Sequence, residues 1–235
     1  MTKVPQAGKV KTRLTPPLTP EEAAGINTCF LRDVSLSILR ACQNSPARGV
    51  GVYTPVGGEA AYGNILPPDF FMIPQRGDGF GERLVLAVED LFKAGFESVC
   101  LINSDSPTVP AASFAEAANK ISEPGDRIVL GPSEDGGYYL IGVKQQHRRL
   151  FQEIDWSTER VFKQTKQRAK EIGVEVHELP IGFDVDDGTA LSRLCAELLG
   201  REARSTSDVA VETRNFLSQI IEREGRGRIC GDTNE

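Results

Sequence analysis

Between residues 19 and 199 the chain alternates two kinds of apolar pattern. Thr19-Pro20-Glu21-Glu22 reads as a capping box, with a hydroxyl at the N-cap, proline at the first helical position and glutamate reaching back to the cap amide. Ile26, Phe30, Val34 and Ile38 then recur every four residues, which predicts a helix to about Cys42 with one apolar stripe to lay on a sheet. Short apolar runs follow at GVGVY (49–53), FFMI (70–73), SVCLIN (98–103), RIVLG (127–131), YYLIGV (138–143) and VEVHEL (174–179), each of strand length and rich in β-branched or aromatic residues. Helical patterns at Phe80 to Ala94, Pro110 to Ile121, Ser157 to Ile172 and Thr189 to Leu199 separate most of them. That alternation predicts an α/β fold with right-handed crossovers and a mainly parallel central sheet. The runs at 127–131 and 138–143 are joined by PSEDGG, too short for a crossover, so an antiparallel excursion is expected there. Beyond Gly200 the texture changes. A domain of residues 1–200 is expected, followed at 201–235 by one amphipathic helix around Val209 to Ile221 and a disordered Gly/Arg tail.

At 235 residues the chain is long enough for one large domain with a full core. Its formal charge of -6 sets the cationic opening MTKVPQAGKVKTRL against an acidic background and argues against a nucleic-acid partner. No apolar run reaches the ~18 residues that span a bilayer, and no secretion signal opens the chain, so neither a membrane span nor export is expected and the location is read as cytoplasmic. The five cysteines are odd in number and show no CxxC spacing, which reads as reduced thiols within the fold. The oligomeric state is not fixed by the sequence, and a homo-oligomer is compatible with it.

In an open α/β sheet, ligands bind where loops leave the carboxyl ends of the strands. The run SVCLIN leads into Ser104-Asp105-Ser106-Pro107, which puts Asp105 at a strand tip, where it either satisfies turn amides or ligates a cation. Phe183-Asp184-Val185-Asp186-Asp187-Gly188 places three acids in four residues ahead of a helix. Their repulsion is relieved by a bound cation or by solvent and helix capping at Asp187. Hard oxygen ligands without nearby His or Cys suit Mg²⁺ or Mn²⁺, which completes its shell with substrate phosphates. Lys9, Lys11 and Arg13, with Gly8 opening the backbone, would then face a di- or triphosphate. Two glycine-rich turns, one spanning Gln75, Gly79, Gly81 and Arg83 and one spanning Asp135, Gly136, Gly137 and Tyr138, mark close approach to a ligand or to another stretch of chain.

Six motifs in register carry a resemblance: Lys3-x-Pro5-x-x-Gly8-x-Val10-Lys11-Thr12-Arg13-Leu14, Gly79-Phe80-Gly81-Glu82-Arg83-Leu84, Asp105-Ser106-Pro107-Thr108, Asp135-Gly136-Gly137-Tyr138-Tyr139-Leu140-Ile141-Gly142, Asp155-Trp156-Ser157-Thr158 and Asp184-Val185-Asp186. Over residues 3 to about 199 the chain resembles bacterial radical-SAM/selenodomain-associated glycosyltransferases of the nucleotide-diphospho-sugar transferase superfamily. The resemblance implies the GT-A, Rossmann-like α/β sandwich. The stretch KTRLTPPLTPEEA is also similar to the opening of phospholactate guanylyltransferase, and Asp184-Val185-Asp186 resembles the metal motif of sugar-activating cytidylyltransferases. It implies a metal on Asp105 and Asp186, phosphate and nucleotide contacts from Lys3, Gly8, Lys9, Lys11, Arg13, Gln75, Gly79, Gly81 and Arg83, and catalytic roles for Asp105 and, as acceptor base, Asp135. The acceptor would meet Gly136, Gly137 and Tyr138. Glycosyl transfer from a nucleotide sugar to a small-molecule acceptor is the first expectation. Nucleotidyl transfer from a nucleoside triphosphate is the second, and a nucleotide-binding regulatory domain without catalysis is the third.

In that family an apolar strand runs directly into the lysine matching Lys3, whereas here only Met1 and Thr2 precede it. The first strand is therefore expected to be missing or truncated. The same reading takes Met1 as an internal start, or the chain as a truncation, with about six to ten apolar residues expected ahead of it, because a central strand supplies ladder partners to both neighbours.

Overall fold

A computed structural model describes residues 1–43, 45–200 and 208–230. The capping box forms as read. Thr19 accepts from the Glu22 amide at 3.2 Å, the Glu22 carboxylate accepts from the Thr19 amide at 2.9 Å, and helix α1 runs Pro20–Cys42. Ile26, Phe30 and Val34 of its stripe are buried.

Among the described residues there are seven strands in chain order: β1 (Thr2–Lys3), β2 (Val50–Thr54), β3 (Phe71–Pro74), β4 (Val99–Ile102), β5 (Arg127–Pro132), β6 (Tyr138–Val143) and β7 (Glu175–Glu178). The remaining helices are α2 (Phe80–Lys93), α3 (Ala111–Ser122), α4 (Val161–Glu171), α5 (Gly188–Leu199), α6 (Val211–Glu224) and α7 (Gly227–Cys230). Helix α4 starts later than its pattern predicts because Ser157 takes a left-handed φ of 64° and Thr158 folds its hydroxyl onto the Asp155 carbonyl at 2.7 Å, which makes residues 155–158 a turn.

The strands form one sheet in the order β1-β2-β3, all parallel, and a second in the order β4-β6-β5-β7. In the second, β5 and β7 are parallel, while β6 runs against both of its neighbours, as the short PSEDGG connection requires. Helices cover both faces. Val99 and Leu101 of β4 pack with Leu84, Val88 and Leu91 of α2, and the alternate residues Cys100 and Ile102 pack with Val34 of α1 and Phe114 and Ile121 of α3.

The first strand is short rather than missing. Thr2 and Lys3 pair parallel with Tyr53 and Thr54, Val4 donates to the Thr54 carbonyl at 2.9 Å, and the Met1 ammonium donates to the Ile102 carbonyl of β4 at 2.8 Å. These bonds fall at the C-terminal end of β1, where the opening loop begins.

The C-terminal helix is present and joins the same core. Leu217 and Ile220 of α6 and Ile229 of α7 cluster with Phe30 and Leu194. From α1, the buried Asp33 carboxylate accepts from the amides of Glu212 (3.0 Å) and Thr213 (2.9 Å) and from the Thr213 hydroxyl (2.6 Å), capping α6 from another helix. Of the expected disordered tail, Gly227–Cys230 are helical because Ile229 and Cys230 have an apolar surface to bury against, while 231–235 lie outside the described residues. All five cysteines are free, and burial pushes the thiols of Cys29 and Cys100 up to about 12. Among the described residues no helix is long and apolar enough to cross a membrane.

Candidate functional site

The loop after β4 and the loop before α5 are stitched together where the Val185 amide donates to the Asp105 carbonyl at 2.9 Å. That bond sets Asp105 and Asp186 side by side at the strand ends. Lys11 reaches the pair from the opening loop. Its backbone is left-handed (φ 47°) as N-cap of the single 3₁₀ turn Thr12–Leu14, and its stem passes the Phe30 ring with Nζ 5.4 Å from the centroid. The ammonium lies 2.7 Å from Asp105 Oδ1, 3.0 Å from Asp186 Oδ1 and 2.9 Å from the Val185 carbonyl. Burial works against this charge. The two carboxylates overcome it and hold the Lys11 amine above the ordinary lysine range. Arg13 adds a second cation from the solvent side, with Nη2 2.7 Å from Asp186 Oδ2.

The three neighbouring acids thus divide their work. Asp186 meets Lys11 and Arg13, and Asp187 caps α5 by accepting from the Ala190 amide at 2.9 Å. Asp184 turns inward, accepting from Asn103 Nδ2 at 2.9 Å and from the Ser106 hydroxyl. Burial, with the charges of Asp135 and Asp105 adding to it, pushes the Asp184 carboxyl up to about 6 despite those two bonds. Asn103 and Ser106 went unread as site residues, and their only signal was position, flanking Asp105 at the end of β4. Among the described residues no cluster of three or more Asp, Glu, His or Cys side chains converges on one point.

Asp135 sits at the margin of this group, exposed, with Oδ1 accepting from the Gly137 amide at 2.9 Å. Its turn is pinned to α5 by Glu134, whose carboxylate takes both Nη atoms of Arg193, and the Arg193 guanidinium lies 4.1 Å from the Phe183 ring centroid. Chain packing explains much of the glycine content. Gly136 has φ +85°, and a Cβ there would stand 2.1 Å from the Glu159 carbonyl oxygen, so α4's approach requires glycine. Gly81 leaves room for Trp156, whose Nε1 would be 2.5 Å from a Cβ. Gly8 (φ +71°) and Gly79 face open space.

Other expected contacts are redirected. Gln75 donates its amide to the carbonyls of Thr2 and Val52, each at 2.9 Å, and so ties β1 to β2. Arg83 folds onto the carbonyls of Gly77 and Asp78. Lys3 donates to the Lys9 carbonyl at 2.9 Å and so braces the loop from within, while the Lys9 side chain stays exposed. Tyr138 packs in the apolar cluster between sheet and helices with its hydroxyl buried.

Residues 38–158 match the family model described as "Uncharacterized protein conserved in bacteria (DUF2064)". The chain belongs to this family. The matched span of DUF2064 includes Asp105, Asp135 and the 155–158 turn, and leaves Lys11 and Asp186 outside it. A solved structure from Desulfovibrio desulfuricans G20, described as a putative nucleotide-diphospho-sugar transferase, is similar over 95% of each chain with 28% identity and a TM-score of 0.79. CMP:2-keto-3-deoxy-manno-octonic acid synthetase, solved in complex with CTP, is similar over 72% of this chain and 87% of its own at 13% identity and a TM-score of 0.51, a likeness of fold alone. A search of the curated proteins found no match. The Rossmann-like α/β architecture expected from the sequence is the fold of this DUF2064 protein.

Proposed function

We propose that this DUF2064 protein is a metal-dependent transferase acting on a nucleotide-activated donor, and specifically a glycosyltransferase that moves a sugar from a nucleotide-diphospho-sugar to a small-molecule acceptor. The observation that carries the reading is the seat of the Lys11 ammonium, where Asp105 Oδ1, Asp186 Oδ1 and the Val185 carbonyl converge at 2.7, 3.0 and 2.9 Å at the ends of the strands. A cation seat of three hard oxygens fits Mg²⁺ or Mn²⁺, which takes one or two carboxylates and leaves room for phosphate oxygens. Asp105 and Asp186 would hold the ion. Its contribution would be to offset the charge of the diphosphate as it leaves. The similarity to the Desulfovibrio structure supports a nucleotide sugar as donor.

The chain's own residues supply the rest. Lys11 and Arg13 would face the diphosphate, with Lys9 and the Gly8 backbone alongside. Asp135, held on its pinned turn, takes the proton from the acceptor hydroxyl as its oxygen bonds to the sugar carbon and the bond to the diphosphate breaks. One feature favours a second reading. Four cations, Lys3, Lys9, Lys11 and Arg13, lie within eleven residues and would suit a triphosphate, in which case an acceptor phosphate attacks and pyrophosphate leaves.

Product analysis decides between them. The protein is incubated with Mn²⁺ and a panel of nucleotide sugars and acceptors, and separately with nucleoside triphosphates and phosphorylated acceptors. Acceptor-dependent release of nucleoside diphosphate supports glycosyl transfer. Acceptor-dependent pyrophosphate release overturns it in favour of nucleotidyl transfer, and binding without turnover in either arm leaves a regulatory nucleotide-binding role.

A further inference from the structure

The turn Asp155-Trp156-Ser157-Thr158 has no task in the transfer step, yet it is held firmly. The Asp155 amide donates to Gln164 Oε1 at 2.8 Å, Gln164 Nε2 donates to Asp155 Oδ2 at 2.7 Å, and Arg160 Nη1 lies 3.1 Å from the same oxygen. With the bond from the Thr158 hydroxyl, these fix the backbone on either side of Trp156. The indole rests against the start of α2, where Gly81 leaves it room. It meets the Phe80 ring edge to face, with centroids 5.1 Å apart and planes at 64°.

Phe80 is the first residue of α2 and is 57% exposed, so much of its ring stays open after Trp156 has packed on it. Beside it, Gly79 faces open space. A single exposed apolar side chain is ordinary on a surface, whereas two aromatic rings locked together in a loop region beyond the carboxyl ends of the strands make a platform. That platform adjoins the turn of Asp135. Three residues after Trp156 the Glu159 backbone abuts Gly136, and the Phe162 amide donates to the Gly136 carbonyl at 2.8 Å. Three residues of chain span at most ~11 Å, so the aromatic pair and the Asp135 turn are within reach of one small substrate.

The charge distribution of the platform selects its occupant. An aromatic face is electron-rich and attracts C–H groups, which carry a small positive charge. Around it the rim is polar, with the side chains of Ser157, Glu159 and Asp135 exposed. A pyranose ring matches both parts, having C–H groups on its faces and hydroxyls around its edge. An aromatic compound would use the platform and neglect the rim, and an open-chain polyol would do the reverse. We propose that Phe80 and Trp156 carry the acceptor, and that the acceptor is a carbohydrate whose pyranose ring stacks on the pair and directs a hydroxyl to Asp135. This rests on the glycosyltransferase reading and adds to it the substrate class on the acceptor side.

Trp156 is the one tryptophan of the chain, so tryptophan fluorescence reports on this platform directly. The titrants are the methyl pyranosides of glucose, galactose, mannose and N-acetylglucosamine, with sorbitol as a polyol without a ring, phenol as a ring without the hydroxyl rim, and UDP and GDP with Mn²⁺ for the donor side. The expected result is a saturable change with at least one methyl pyranoside and none with sorbitol or phenol. Phe80→Leu keeps apolar bulk but loses the ring and should weaken that binding about three- to tenfold, whereas Phe80→Tyr should hold it within about twofold. Silence toward all four pyranosides overturns the proposal, as does an equal response to phenol or sorbitol, or an undiminished affinity in Phe80→Leu. A nucleotide response that Phe80→Leu abolishes also overturns it, by giving the platform to the donor's base. Metal-dependent nucleotide binding is measured by calorimetry on the same protein. Nucleotide binding without any pyranoside response sinks the acceptor assignment alone, and pyranoside binding without nucleotide binding keeps the platform as a sugar site and sinks the transferase reading.

Discussion

Lys11 Nζ lies 2.7 Å from Asp105 Oδ1, although strands β2, β3 and β4 lie between the two residues in sequence. An ammonium among carboxylates neutralises the charge that a divalent ion would otherwise meet, so cation and lysine compete for the same oxygens. Lys11→Met keeps the apolar stem beside Phe30 and removes the charge. Without added metal the variant should be less stable by about 1 to 2 kcal/mol, the moderate figure reflecting carboxylates that remain partly hydrated. Addition of Mn²⁺ should raise its melting temperature by more than it raises that of the wild type. Thermal shift with and without Mn²⁺ checks both statements, and an equal metal response in the two proteins argues against competition.

Gly136 should tolerate no side chain. A Cβ there combines a left-handed φ of +85° with a contact of 2.1 Å to backbone that cannot rotate away, the Glu159 carbonyl oxygen. Gly136→Ala is expected to cost about 2 to 4 kcal/mol, or roughly 5 to 15 °C of melting temperature. Gly8→Ala serves as the comparison, because its φ of +71° is similar but its surroundings are open. It should lose only the conformational strain, about 1 kcal/mol.

Asp33 holds α6 to α1 through three accepted hydrogen bonds, and Asp33→Ala would leave those donors buried and unpaired. A loss of about 2 to 3 kcal/mol follows, read by urea denaturation. Burial also holds the Asp33 carboxyl above the usual carboxylate range even though its hydrogen bonds pull the other way. A raised value means that the folded protein binds this proton more tightly than the unfolded chain. The associated stability is therefore present at acid pH below the unfolded value of about 4 and is lost as pH rises through the folded one. Asp33→Asn should remove that slope from the pH dependence of the urea midpoint.

Burial makes the thiols poor nucleophiles. Cys29 and Cys100, both pushed up to about 12, should resist an aromatic disulfide reagent at pH 8 in the native protein and react at once in denaturant. Rapid native labelling of either would mean that its helix or strand opens readily.

Local patterns carried most of the fold. The capping box at Thr19, the four-residue stripe of α1 and the apolar runs of β2 to β6 are set by neighbours in sequence, and they appear where the pattern puts them. What escaped was set by contacts between distant segments. The Lys11 pairing with Asp186 closes over 175 positions, and no spacing rule links a loop lysine to a carboxylate that far along. Asp184 reads like its neighbours in the sequence, and only the side chains of Asn103 and Ser106 show it turned inward. Gln75 and Tyr138 were legible as motif members, but the direction of their side chains depends on β1 and on α4. Gly81 and Gly136 announced a close approach correctly, and what approaches is Trp156 in one case and the Glu159 backbone in the other.

The central claim is that Asp105 and Asp186 seat a divalent cation against a nucleotide diphosphate. Calorimetric titration of UDP, GDP, CDP and ADP into the wild type, Asp105→Asn and Asp186→Asn, each with and without Mn²⁺, tests it most directly. The expected result is that at least one nucleoside diphosphate binds the wild type only when Mn²⁺ is present, and that both variants lose this binding while melting within a few degrees of the wild type. Binding that is indifferent to Mn²⁺, or variants that bind nucleotide and Mn²⁺ as the wild type does, would contradict the assignment.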